Sequence, residues 1–422
     1  MNELTTSLNG LKVTHVGFAD EYTPDWVPFS PSGNLATKLY DTPRYLFRVY
    51  SDASAGENSS EMMKSVDALE NNLTDIFARH NTSNIASTLK NHLRWWENLF
   101  GDPFISWTTS LLVAIQYAIF KHKVQHSKLN TIYLCIIDTT LFPDGVFLKD
   151  LDLIEEFLEK APGHRGLGNL HQLRNRAHKT YSGFYYFGEY LSQGLTKING
   201  RSCVVPCDKI ISNHLFAIMP QFKIEIEREN PRWAEAVIEF REPFYNKEQE
   251  VIDNSKFTEA MAIALEFDTE WVMPMLANLL ALSPHTARNP ANIDRISKLC
   301  SNEIKHSLSS KFTNVVANNK IPEVFEFGKI IHDINKDYYV KSIAVLVRSM
   351  KETTDIARRF ISDSKTTGGR KKLGTGNLAG CLPPLDHDHV QPLVESVETL
   401  SGIIQELQEA MTWKGESEIM WH

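Results

Sequence analysis

The sequence predicts an α+β domain followed by an all-helical one, and three observations carry that prediction. RYLFRVYS, 44–51, and TIYLCIID, 131–138, are compact aromatic and β-branched runs of the kind that form buried strands. Between them, apolar residues recur every three or four positions, the mark of helices with one buried face. From about residue 250, FTEAMAIALEF, WVMPMLANLLAL, VFEFGKIIHDI and YYVKSIAVLVRSM follow one another with helical period and few strand signals.

At 422 residues and 42% hydrophobic content the chain is large enough for two or three domains with a real core. The net charge of −8 supplies no global positive field, which argues against nucleic acid as a partner. Five scattered cysteines do not make a disulfide framework and fit a reducing compartment. Cys203 and Cys207 form the one close pair, with no second pair nearby to complete a zinc site, so no metal is expected. The first residues lack the basic start and apolar run of a secretory signal, and no stretch reaches the roughly 20 apolar residues of a membrane span. A cytoplasmic location and no membrane partner are the expectation.

Residues 1–40, rich in Pro, Ser, Thr and Gly, read as an N-terminal arm without regular structure. An α+β domain then covers 41–245. It opens on the 44–51 strand, which carries Arg48, and continues with a helix over 61–79 (Met62, Val66, Leu69, Leu73, Ile76, Phe77) and a second over 85–100. In FISWTTSLLVAIQYAIF, 104–120, Leu111, Ala114, Ile115, Ala118 and Ile119 set a helical face, so a strand passes into a helix near Ser110. Thr109 or Ser110 caps that helix. Ser106 and Thr108 are surplus to capping and share one face of the strand, with Trp107 on the other.

The 131–138 strand follows, then a short strand in GVFLKD and helix over 151–181. TYSGFYYFGEYLSQGLTKING, 180–200, reads as a loop feeding one or two strands, and CVVPCDKII and FKIEIE (222–227) complete the sheet. Arg174, Arg176, His178 and Lys179 read as a solvated helix face, with a diphosphate or an acidic partner as the alternative.

A helical domain is expected over 246–361 and a flexible linker over 362–385. GRKKLGTG within that linker fails as a phosphate loop because Thr375 stands where a lysine is required. In the C-terminal helix, 386–422, Val390, Leu393, Val397, Leu400, Ile404, Leu407 and Met411 form a heptad seam over 390–411. That seam fits a helix docking on the helical domain, or a coiled coil with a partner or a second copy. DHDH, 386–389, reads as a solvent-facing helix entrance.

The order of FRVY, ISWTTSLLVA and GEYLSQGL resembles the arginine, Ser-Thr-Ser, glutamate pattern of NAD-dependent ADP-ribosyltransferases, as found in uncharacterised fungal proteins with such a domain. The resemblance implies a mixed or antiparallel sheet and NAD as the substrate. It also assigns Arg48 to the NAD phosphates, Ser106 and Thr108 to the Ser-Thr-Ser element, and catalysis to Glu189. Tyr117, Tyr185 and Tyr186 are candidates to stack on nicotinamide, Tyr117 fitting a core position equally well.

The chemistry has its own logic. Cleaving the ribose–nicotinamide bond builds positive charge on the sugar, and an adjacent carboxylate interacts more strongly with that transition state than with the substrate. Arg48 offers a planar, permanently charged fork for phosphate oxygens. Ser106 orients the carboxylate. Two departures bear on the acceptor: Trp107 sits inside the Ser-Thr-Ser element, and Phe187 stands where arginine-modifying members carry Glu or Gln. The expected activity is therefore ADP-ribosyl transfer to an unidentified protein or small molecule, or NAD hydrolysis. The alternative is an inactive interaction module with a partner-binding helical domain.

Overall fold

The computed structural model describes residues 24–98, 101–176, 185–246, 254–284 and 321–369. The fold is α+β, with a curled antiparallel sheet packed against many helices. Its strands are β1 (Trp26–Val27), β2 (Tyr45–Ser51), β3 (Glu57–Asn58), β4 (Met62–Lys64), β5 (Phe104–Thr108), β6 (Ile132–Asp138), β7 (Leu148–Lys149), β8 (Glu189–Lys197) and β9 (Ser202–Pro206). They run in the order β3-β4-β8-β5-β2-β6-β9, with β1 and β7 also paired to β8. Among the described residues the α-helices of seven residues or more are α1 (Thr82–Leu93), α2 (Leu111–Gln125), α3 (Asp150–Glu156), α4 (Leu167–Asn175), α5 (Gln221–Glu227), α6 (Ala234–Phe240), α7 (Asn254–Ala264), α8 (Val272–Leu280) and α9 (Pro322–Gly369). Against the expectation of an arm without regular structure, residues 24–40 hold β1 and a 3-10 helix, Gly33–Tyr40.

Strand β8 opens the sheet. Gln193 pairs with Phe104 of β5 and Val27 of β1, and Thr196 with Met63 of β4 and Trp26 of β1. A strand has two edges, so β5 and β4 share the edge opposite β1 and part company between these positions. Gly194 makes the change: its φ of 62° is left-handed, its N–H donates to Pro103 and its carbonyl accepts from Ser65. A Cβ there would lie 2.9 Å from Val27 Cγ2.

The strand-to-helix joint forms where the residues predict it. Ser110 is the N-cap of α2, its hydroxyl accepting from the Val113 N–H at 3.1 Å. Beneath α2, Phe47 and Val49 of β2 and Leu134 and Ile136 of β6 join one apolar core. Phe257 and Ile263 of α7, Leu276 of α8, and Phe327 and Ile331 of α9 belong to that same core. This corrects the expectation of a separate helical domain beginning at 246: the apolar faces of these helices are buried on the α+β core. Arg241 and Glu323, both buried, form an ion pair at 2.6 Å; Glu323 also accepts from Ser110 Oγ, and Arg241 donates to the Tyr186 carbonyl.

Several elements differ from expectation for local reasons. The 61–79 stretch is β4, a four-residue helix (Val66–Leu69) capped by Ser65, and a 3-10 turn (Ile76–Ala78) capped by Asp75. Two capping side chains interrupt its apparent period. FKIEIE is the helix α5, not a strand; Pro220 precedes it, Ile224 is exposed and Glu225 is buried against Arg232. Helix over 151–181 is broken into α3 and α4, and CVVPCDKII turns from β9 into a short helix at Cys207.

By contacts the chain falls into two units, 1–346 and 347–422. The sheet, with helices α1–α8, belongs to the first; of the second, the described residues 347–369 are helical. Helix therefore occupies the first part of the expected linker, through Gly369. The remainder of the linker, DHDH and the 390–411 seam lie outside the described residues.

Candidate functional site

Three strands bring Arg48, Ser106 and Glu189 together. Arg48, on β2, donates from Nε and Nη2 to Asn58 Oδ1 at 3.1 and 2.8 Å, and from Nη1 to the Ser106 carbonyl at 2.8 Å. Ser106, on β5, donates its hydroxyl to Glu189 Oε1 at 2.7 Å. Glu189 is the first residue of β8, and Gly188 before it has φ 67°, which a side chain would strain. All three residues line a pocket of about 830 Å³, inside the ~300–1,000 Å³ range of small-molecule and cofactor sites.

Tyr117, Tyr185 and Thr108 also line this pocket. Thr108 is committed to the joint, donating to the Phe187 carbonyl at 2.7 Å and accepting from the Ser110 N–H. Tyr186 requires a correction: it is fully buried, outside the pocket lining, with its hydroxyl 3.4 Å from Asp150 Oδ1. Trp107 points to the opposite face of the strand, where its indole N–H donates to Ser192 Oγ at 2.9 Å.

Residues not singled out from the sequence complete the site. His92 of α1 places Nε2 2.8 Å from Ser106 Oγ and Nδ1 2.7 Å from Asp102 Oδ2. On the other side, Arg174 of α4 donates to Glu189 Oε2 at 2.7 Å and pairs with Asp150 at 3.0 Å. Arg174 is thus buried at the centre of the site, which corrects its reading as part of a solvated face. His178 and Lys179 lie outside the described residues. Trp95 and Trp233 form an aromatic wall with Tyr117, ring centroids 5.2–5.5 Å apart. Trp95 holds a left-handed backbone, φ 58°, a strained conformation for a bulky residue.

Arg48 and Lys121, neighbours in the pocket, have no carboxylate partner among the described residues. Burial lowers the pKa of Arg48, whose described hydrogen bonds all go to neutral acceptors and use three of its five N–H groups. Lys121, on α2, is buried and makes no hydrogen bond or ion pair among the described residues; its ammonium lies 5.8 Å from the Tyr117 ring centroid. Burial, with the Arg48 charge adding, pushes Lys121 down to about 8. Gln125, one turn further along α2, accepts from Ser51 Oγ, so the Tyr117–Lys121–Gln125 stripe faces β2. The carboxylates behave differently. Burial pushes Asp150 up to about 7, with Arg174 opposing and Glu189 adding, and the two carboxylates hold Arg174 firmly charged.

Among the described residues no group of His, Cys, Asp and Glu is arranged to hold a metal ion, and no helix is long and apolar enough to cross a membrane. Cys135, Cys203 and Cys207 are buried free thiols. The model of a domain of unknown function, DUF7587, matches residues 41–194. That span contains Arg48, His92, Asp102, Ser106, Lys121, Arg174 and Glu189. No curated protein and no solved structure matches the chain.

Proposed function

We propose that the pocket binds NAD and cleaves its ribose–nicotinamide bond through an oxocarbenium-like transition state, as an ADP-ribosyltransferase or NAD glycohydrolase. One observation carries the reading: Ser106 joins a half-buried cation to a carboxylate, its carbonyl accepting from Arg48 and its hydroxyl donating to Glu189. In this reading Arg48, half-buried, and Lys121, buried, take the phosphates, since neither has a carboxylate partner among the described residues. Glu189 lies beside the ribose, with Ser106 fixing the angle of its carboxylate. The Trp95–Tyr117–Trp233 wall offers ring faces to a planar base.

A second reading, binding without turnover, is favoured by Arg174. Its guanidinium occupies the Glu189 oxygen that Ser106 leaves, and neutralises part of the charge a cationic transition state would use.

Full-length protein incubated with NAD decides between them when free nicotinamide and protein-attached ADP-ribose are both measured. Turnover that Glu189→Gln abolishes supports the enzyme. NAD binding by calorimetry without nicotinamide release supports the binding module, and no NAD binding overturns both.

A further inference from the structure

Four groups run in line along the pocket wall: Asp102, His92, Ser106 and Glu189. Their three contacts are Asp102 Oδ2 to His92 Nδ1 at 2.7 Å, His92 Nε2 to Ser106 Oγ at 2.8 Å, and Ser106 Oγ to Glu189 Oε1 at 2.7 Å. Each contact needs one proton. The ionised carboxylates at the two ends bring none, the serine hydroxyl brings one, and an imidazole brings one if neutral or two if cationic. A neutral His92 leaves two protons for three contacts, setting acceptor against acceptor at one of them. An imidazolium satisfies all three.

On its other side Glu189 is held in an ion pair, Arg174 donating to Oε2 at 2.7 Å, which leaves Oε1 to accept from Ser106. The surroundings of His92 agree with the cationic count. Burial opposes its charge, yet Asp102, by charge and by hydrogen bond, with Glu189 adding, raises its pKa above the usual 6.5; Arg48 acts the other way. The same contacts hold Asp102 low: burial pushes it up, while His92, the Phe104 N–H and Asn98 more than offset this.

We propose that His92 is a positioning residue, held as an imidazolium by Asp102, which fixes the direction of the Ser106 hydroxyl so that its proton goes to Glu189. Loss of the His92 proton turns Ser106 round. Nε2 becomes an acceptor, the hydroxyl donates to it, and Glu189 Oε1 loses its donor. The proposal rests on Glu189 being the working carboxylate of the pocket, and its first test does not depend on turnover.

An Asp–His–Ser line also invites a different chemistry, in which a neutral histidine takes the serine proton and Ser106 attacks an acyl carbon. Glu189 stands against it. A carboxylate 2.7 Å from the nucleophile would repel the negative charge of the tetrahedral intermediate.

The test is nitrogen NMR of full-length protein carrying labelled histidine, with His92 assigned by difference from His92→Gln. Both His92 nitrogens are expected to be protonated at pH 7, with a midpoint above that pH which falls by about one to three pH units in Asp102→Asn. A neutral His92 at pH 7 overturns the proposal, and so does labelling of Ser106 by a fluorophosphonate probe. Where nicotinamide release is measurable, it is expected to fall as one proton is lost at the NMR midpoint, and Asp102→Asn is expected to move that limb to lower pH. An unmoved limb also overturns the proposal. Failure of NAD turnover alone would leave the histidine signals as expected, so the two failures are distinguishable.

Discussion

Arg174 and Glu189 lie 2.7 Å apart, guanidinium to carboxylate, with Asp150 behind the guanidinium at 3.0 Å. One cation therefore serves two carboxylates in a setting where Asp150 is wholly buried and the Glu189 side chain only 17% exposed. Breaking a buried pair by removing one partner is strongly destabilising, because the other charge stays behind. Arg174→Met is expected to lower unfolding stability by about 3–5 kcal/mol in urea titrations. A loss below about 1 kcal/mol would mean that the pair is solvated in solution.

The pH response of that variant follows from Asp150. Its folded pKa, about 7, lies above the unfolded value of 3.8, so the folded state holds the proton more tightly between those values. Its contribution to stability is fully present below 3.8 and lost as pH rises through about 7. Arg174→Met removes the cation that opposes this trend, so stability should rise more steeply from pH 7 to pH 5 than in the parent protein. Parallel denaturation at the two pH values checks the sign.

Glu189→Gln keeps the shape of the site and removes the charge. Nicotinamide release is expected to fall by about 10²- to 10³-fold, the scale of losing one electrostatic stabiliser, while NAD affinity changes little. Turnover assays beside calorimetry separate the two effects. An equal loss in binding would place Glu189 in ground-state recognition.

Lys121, pushed down to about 8, gives the proposed phosphate subsite a proton signature. A diphosphate seated between Arg48 and Lys121 restores the ammonium, so ADP or pyrophosphate binding at pH 8 should take up part of a proton. Calorimetry in buffers of different ionisation enthalpy measures that uptake. Lys121→Met should abolish it and weaken binding, whereas unchanged uptake would assign the proton elsewhere.

Gly188→Ala tests how Glu189 is aimed. The new Cβ would lie 2.2 Å from Thr109 Oγ1 and 2.9 Å from Ile321 Cδ1, at a φ of 67° that L residues resist. A stability loss of at least about 1–2 kcal/mol is expected, together with loss of whatever activity depends on Glu189. A neutral outcome would show that the turn into β8 adjusts freely.

The parts of the site legible in sequence are those whose signal is local. FRVY marks a strand with one charge in it, and ISWTTSLLVA announces a strand, a cap and a helix within ten residues, with more hydroxyls than the cap can use. Glu189 follows Gly188 at the start of an apolar run. His92 and Asp102 carry no such signal: they sit in a helical stretch and a Gly-Asp-Pro turn, and meet only because α1 folds back beside β5. Arg174 reads as one of several basic residues on a polar helix, and only the fold buries it against Asp150 and Glu189. The missed elements have a related cause. The 61–79 period is produced by apolar residues that belong to separate short elements, and FKIEIE alternates although its helix buries Phe222 and Glu225, three apart.

The buried pair of Arg241 and Glu323 ties the first turn of α9 to Ser110, at the root of the helix that follows the Ser106 strand. Residues 41–194, expressed alone, would retain every polar group proposed to act on NAD yet lose both members of that pair and the core-packing residues of α5–α9. Such a fragment is expected to be insoluble or unfolded, so biochemistry on this pocket has to begin with a chain that extends past Glu323.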